Sequence, residues 1–262
     1  MDELRTTTVD DRASGHGDPR PDLPAGVHIP QLTRRGIVGV WAAATVPMGL
    51  LAWVVAPLVA DRLSGPGALP RALIASLAVG LVWQFVLVAL LVRREQGTLR
   101  WAVVREALWL RSPTNPRTGR RGGRVWLVVP VLIALYAALD VVPSLPHDSG
   151  RDFAAFVASD AGTAVLVVVW VFNTVLGEEL LFRGYLLPRM SGSFGRADWL
   201  ANGVLFAGYH VHMWWGIPGI LLDAFTFALP SRYFRSALIG IAVHSAQTVL
   251  VCALVLPVVL TG

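Results

Sequence analysis

Long apolar runs alternate with short polar, mostly basic, segments along this 262-residue chain. The stretches Ile37–Ala60, Ala72–Val92 and Val125–Val142 each hold roughly the 20 apolar residues that a bilayer-crossing helix needs. Further apolar runs follow Gly162: one through Met190, then Trp199–Trp214, Ile220–Leu229 and Ala237–Leu260. Breakers separate them. "DRLSGPGALPR" (Asp61–Arg71), "PSLPHDSGRD" (Pro143–Asp152), "GIPG" (Gly216–Gly219) and "PSRYFRS" (Pro230–Ser236) read as turns. Phe153–Val157 reads as a short interfacial piece. The pattern predicts an all-α, polytopic integral membrane helical bundle of about seven to eight membrane segments.

Three regions follow from the pattern. Residues 1–35 are polar and rich in Pro, Gly, Asp and Arg, which predicts a disordered tail. Residues 36–143 hold the N-terminal spans and a basic loop, 93–124. Residues 155–260 form a second membrane core. Within the loop, "TLRWAVVREALWL" predicts an amphipathic helix on the membrane surface, and "RSPTNPRTGRRGGR" a flexible link.

Composition agrees with this picture: 55% of residues are hydrophobic and only 15% charged, too few charges for an ordinary soluble domain. The net charge of +5 is carried entirely by arginine, as the sequence has no lysine. The arginines lie between apolar runs, so they signal topology rather than nucleic-acid binding. The basic loop and the N-terminus are placed on the cytoplasmic side, Asp148, Asp152 and Asp160 outside, and the plasma membrane is the expected location. The loop's secondary role is contact with anionic lipid. No cleavable leader is legible at the N-terminus. The single cysteine, Cys252, permits no disulfide within one chain.

Ionisable residues inside apolar segments are costly unless paired or facing a cavity, so they are the functional candidates. "LGEELLFRGYLL" carries Glu178, Glu179 and Arg183. On an α-helix, Glu179 and Arg183 stand at i and i+4 and can pair. Glu178 is turned by about 100° from Glu179. The spacing therefore predicts a structural Glu179–Arg183 pair and leaves Glu178 free for proton transfer. "FAGYHVHMWWG" sets Phe206 and His210 at i and i+4, so the ring can pack on the imidazole. His210 and His212 should point apart, with His212 at the interface beside Trp214 and Trp215. Asn202 shares the His210 face approximately, which fits either support for His210 or plain packing. Asn173 reads as a helix–helix hydrogen bonder. "GIAVHSAQTV" places His244 in the last span with Gln247 and Thr248 beside it.

Taken together, EExxxR (Glu178, Glu179, Arg183), then FxxxH (Phe206, His210), then His244 in a later helix resemble the CPBP family. These are the CAAX-type prenyl endopeptidases and the Abi bacteriocin-processing and immunity proteins. The resemblance covers roughly Ala161 to Leu256. It implies an intramembrane endopeptidase in which Glu178 and His210 activate a water and His244 stabilises the oxyanion. Its substrate would be a membrane-associated, lipidated or bacteriocin-like peptide, with the bilayer as the other partner. The family usually has Asn or Asp four residues after the third-motif histidine. Thr248 stands there, and its hydroxyl can donate one hydrogen bond.

Glu178, His210 and His244 could also form a zinc set with an open position. HExxH is absent, and no cofactor is the favoured expectation. Two other classes fit the same charges. One is a non-enzymatic immunity or binding protein, and the other a transporter using Glu178 and the histidines as a proton relay.

Overall fold

The computed structural model describes residues 27–64, 67–139, 175–246 and 249. The described residues are helical, with one isolated antiparallel bridge and no strand.

Helix α1 runs from Arg34 to Ala60. Thr33 caps it, its hydroxyl accepting from Gly36 N at 3.2 Å. Ahead of Pro57, which has no N–H to continue the ladder, the helix widens into a π turn over Leu51–Val55. Helix α2 spans Ala68–Gln96 between two left-handed glycines, Gly67 and Gly97. Its last turn holds Arg93 and Arg94, which suit the negative end of the helix dipole. Both helices are long and apolar enough to cross a membrane. Large side chains stay exposed along them, among them Val46, Leu50, Trp53, Val79, Val82 and Leu90. An apolar surface of this extent is suited to lipid rather than water.

Part of the stretch expected to be a disordered tail is packed. Residues 27–33 run along the protein: Leu32 N donates to Arg189 O at 2.9 Å, Gln31 Nε2 to Pro188 O at 3.0 Å, and Ser193 Oγ to Leu32 O at 2.6 Å. Residues 1–26 lie outside the described residues.

The basic loop is also corrected. Helix α3 is only Trp101–Ala107, and it sinks Glu106, Ala107 and Leu108 into the protein instead of lying on a surface. Glu106 drives this, because Arg111 Nη1, itself buried, pairs with it at 2.9 Å. The expected flexible link is docked. Ala237 N donates to Trp109 O at 2.9 Å, Thr114 N to Phe234 O at 2.8 Å, and Ser236 Oγ to Arg111 O at 2.5 Å.

Helix α4, Val128–Leu139, follows a short 3-10 turn, Gly123–Leu127. The charged segment Val175–Leu186 is a π-helix, not the α-helix that the spacing argument assumed, and a 3-10 turn, Leu187–Arg189, ends it. Helix α5, Asp198–Tyr209, then gives way to a 3-10 segment, Val211–Gly216, so the expected helix to Trp214 stops early. "GIPG" is not a break, since Pro218 sits in the first turn of α6, Ile217–Asp223, where a missing N–H costs nothing. A π turn, Ala224–Ala228, leads into α7, Leu229–Tyr233, which absorbs the start of the predicted "PSRYFRS" turn. Helix α8 spans Ala237–Ala246. The long helices interlock through tryptophan N–H groups: Trp41 donates to Leu205 O at 2.7 Å and Trp83 to Ala43 O at 2.8 Å.

Candidate active site

The π-helix carries the two glutamates into the middle of the protein. π geometry is rare and recurs at functional sites, because its i to i+5 bonds widen the helix and redirect side chains. A glycine lets the segment lie close to α2: a Cβ on Gly177 would stand 3.0 Å from Leu81 O. Glu178 and Glu179 are both buried, and they turn to different partners.

Glu178 Oε1 lies 3.8 Å from His210 Nε2. His210 is the residue that ends α5, and its Nδ1 lies 2.9 Å from Phe206 O. A carbonyl only accepts, so Nδ1 carries the hydrogen. In the neutral ring Nε2 is then left as an acceptor, facing the carboxylate. Phe206 holds the imidazole edge-on, with ring centroids 4.8 Å apart at 77°.

Glu179 does more than the structural pairing expected of it. Its Oε1 is 3.1 Å from Arg183 Nη1 and also 3.1 Å from His244 Nδ1. All three groups are buried. The Arg183 guanidinium lies 4.0 Å from the Phe206 ring centroid and 5.1 Å from that of Phe227, so its charge is spread over two aromatic faces. Phe227 also stacks on His244 at 5.2 Å and 13°. Room for this cluster comes from Gly240, one turn before His244. A Cβ there would overlap Glu179 Oε2 and approach Ser231 Oγ to 3.1 Å and Arg183 Cγ to 3.2 Å.

Asn202 and His212 are also placed. Of the two readings left open for Asn202 the contacts favour packing, since its Nδ2 donates to Phe182 O at 2.8 Å and so ties α5 to the glutamate helix. His212 does not diverge to the interface. The chain leaves α geometry at His210, and the two imidazoles stack at 5.8 Å and 30°. Thr248, Gln247 and Asn173 lie outside the described residues.

The sequence reading passed over two residues. Gln84 of α2 is buried, and its Nε2 donates to the Tyr209 hydroxyl at 2.7 Å. The Tyr209 ring stands edge-on to His210, with centroids 4.9 Å apart at 84°. A lone amide inside "LVWQFVLV" was the available signal for Gln84. Tyr209 offered none beyond its place directly before His210.

The zinc alternative finds little support in the donor set. Among the described residues no three His, Cys, Asp or Glu side chains gather as metal ligands. His244 turns Nδ1 to Glu179 rather than joining Glu178 and His210 around one point. What remains is a buried carboxylate facing an imidazole acceptor, with a second imidazole braced by a second carboxylate.

Residues 160–250 match the family model described as type II CAAX prenyl endopeptidase Rce1-like. No curated protein and no solved structure matches the chain. The matched segment contains Glu178, Glu179, Arg183, Phe206, His210 and His244, all three motifs in order. The match covers about a third of the chain and supports a CPBP/CAAX-type protease assignment for that segment, a family whose members are membrane-embedded.

Proposed function

We propose that this protein is an intramembrane endopeptidase that hydrolyses a peptide bond in a prenylated, CAAX-type peptide. One observation carries the reading: Glu178 Oε1 and His210 Nε2 face each other at 3.8 Å inside the protein. Both are acceptors, so together they can take the two hydrogens of one water and leave its lone pair aimed at a carbonyl carbon. Glu178 removes a proton as the water oxygen bonds to that carbon. The C–N bond then breaks, and Glu178 returns the proton to the departing nitrogen. His244, braced by Glu179, supports the charge on the carbonyl oxygen. That role needs an N–H on Nε2, and the carboxylate against Nδ1 supports a ring carrying both hydrogens. The Thr248 hydroxyl is the proposed second donor. The arginine-rich loop supports a site opening toward the cytoplasmic side and an N-terminus on that side, in the plasma membrane.

The test is cleavage of a farnesylated CAAX-type peptide by purified protein, with products identified by mass spectrometry. Glu178→Ala and, separately, His210→Ala should abolish the product while inserting and melting like the parent. Full turnover by either variant would sink the mechanism. A binding protein or a transporter would yield no product even from the parent chain.

A further inference from the structure

We propose that the basic turn between α3 and α4 is a preformed binding surface for anionic phospholipid headgroups. Lipid binding there is independent of the peptide chemistry of the buried site.

The charge of this loop is left unbalanced at its surface. Residues 93–124 hold nine arginines and two carboxylates, Glu95 and Glu106. Both carboxylates turn inward. Glu95 accepts from Arg189 Nη2 at 2.6 Å, and Glu106 from Arg111 Nη1 at 2.9 Å. Glu106 is also shared with Arg105 and Arg121, at 3.5 and 3.8 Å, so one carboxylate serves three cations. Arg117, Arg120 and Arg124 are exposed and have no carboxylate partner among the described residues.

The turn that carries them is ordered. Thr114 and Arg121 form the isolated antiparallel bridge, and Asn115 N donates to Arg120 O at 2.9 Å. Asn115 Oδ1 accepts from the backbone N–H of Arg117 at 2.9 Å and of Thr118 at 3.2 Å. The base is fixed by two residues with left-handed backbone, Trp109 at φ 51° and Arg235 at φ 49°. That conformation is uncommon for residues with a Cβ and persists where the surroundings over-determine it. Here it turns each carbonyl to the facing segment. Trp109 O accepts from Ala237 N at 2.9 Å, and Arg235 O from Arg111 Nε at 3.3 Å. The backbone under the arginines is thus set in advance, and a guanidinium can grip two phosphate oxygens at once.

The position of the turn selects whose phosphate it meets. The chain enters the loop from α2, just after Arg93 and Arg94, and leaves it through Leu127 into α4, where Leu127 and Val131 are exposed as lipid-facing side chains are. Trp101, at the start of α3, is 65% exposed and stands at i and i+4 to Arg105. An outward tryptophan beside arginine belongs at the headgroup level. Both ends of the loop therefore meet one face of the bilayer, where lipid phosphates are the nearest concentrated anions.

The test uses the full chain in nanodiscs of phosphatidylcholine, alone or mixed with phosphatidylglycerol. A ligand that binds only the folded protein raises its melting temperature. The parent should therefore melt higher in the mixed discs, and native mass spectrometry should find phosphatidylglycerol retained over phosphatidylcholine. A variant combining Arg117→Gln, Arg120→Gln and Arg124→Gln should melt with the parent in phosphatidylcholine but lose most of the rise in mixed discs. Its retention of phosphatidylglycerol should fall by roughly five-fold per arginine removed. Lysine at the same three positions should give an intermediate rise, because the charge remains and the paired grip does not. Arg62→Gln, on the turn before α2, should keep the whole rise. Molar salt, which screens charges beyond about 3 Å, should erase it. Equal rises in the parent and the glutamine variant, or no rise in either, overturn the proposal. A rise in phosphatidylcholine discs given inorganic phosphate makes the ligand a free anion and overturns it as well. So does loss of the rise on adding an RNA oligonucleotide, which would name nucleic acid as the partner.

Discussion

Glu178 and Glu179 are sequence neighbours with opposite surroundings, and the difference predicts opposite failures. Glu178 faces an imidazole acceptor, whereas Glu179 meets an arginine and a second imidazole. Glu179→Gln keeps the shape but removes the charge against His244 Nδ1. The expected loss is on the order of 10²–10³ in kcat, comparable to losing one oxyanion donor, read in the peptide assay. Arg183→Ala instead strands the buried Glu179 carboxylate. It should destabilise the fold by about 3–5 kcal/mol, read as thermal unfolding in detergent. Lysine should rescue it poorly, because an ammonium cannot lie flat on the Phe206 and Phe227 rings while reaching Glu179. The i, i+4 spacing made the Glu179–Arg183 contact legible in the sequence. The His244 contact was not legible, because it joins residues 65 positions apart that only packing brings together.

At the scale of elements, the π-helix and its glycines decide the geometry. Apolar runs announce that a helix is present, but they do not separate α from π, since the choice turns on where each backbone N–H finds its carbonyl. From α-helical spacing alone, Glu178 is simply turned away from Arg183. Gly240 shows the same limit, for nothing in "GIAVHSAQTV" reveals that its missing Cβ is the space where Glu179 and Arg183 meet. Gly240→Ala should cost about 1–3 kcal/mol through overpacking. It should also reduce turnover more than Ala substitution at Gly39, where a Cβ meets open space, when melting and cleavage are measured on the same preparations. The early end of α5 was equally hidden. No proline marks it, and the chain leaves the helix where His210 turns its ring onto Phe206 O.

At the scale of the molecule, the two halves divided by the hydropathy pattern are not independent. Leu81 touches Gly177, Gln84 reaches Tyr209, and Glu95 pairs with Arg189 at 2.6 Å. A fragment of residues 155–262 should therefore insert yet release no product from the farnesylated peptide. Co-expression with residues 1–143 should restore cleavage, as expected when membrane helices insert separately and then associate. Alternation of apolar and basic segments was enough to read a helical membrane protein. It could not show that the basic loop is tied to the rest of the chain, because the ties are hydrogen bonds to backbone carbonyls more than 100 positions apart, such as Ser236 Oγ to Arg111 O, Arg111 Nε to Arg235 O and Thr114 N to Phe234 O.

The bonds that join Gln31 and Leu32 to Pro188 and Arg189 also impose an order on synthesis. The first partners leave the ribosome long before the second exist. At roughly 5–20 residues per second, the delay is on the order of ten seconds. The entry to the first helix must wait unlatched through that interval while the second is made. The latch closes only once the glutamate helix has been completed, so a nascent chain halted before residue 188 can hold its first two spans but cannot yet fasten them.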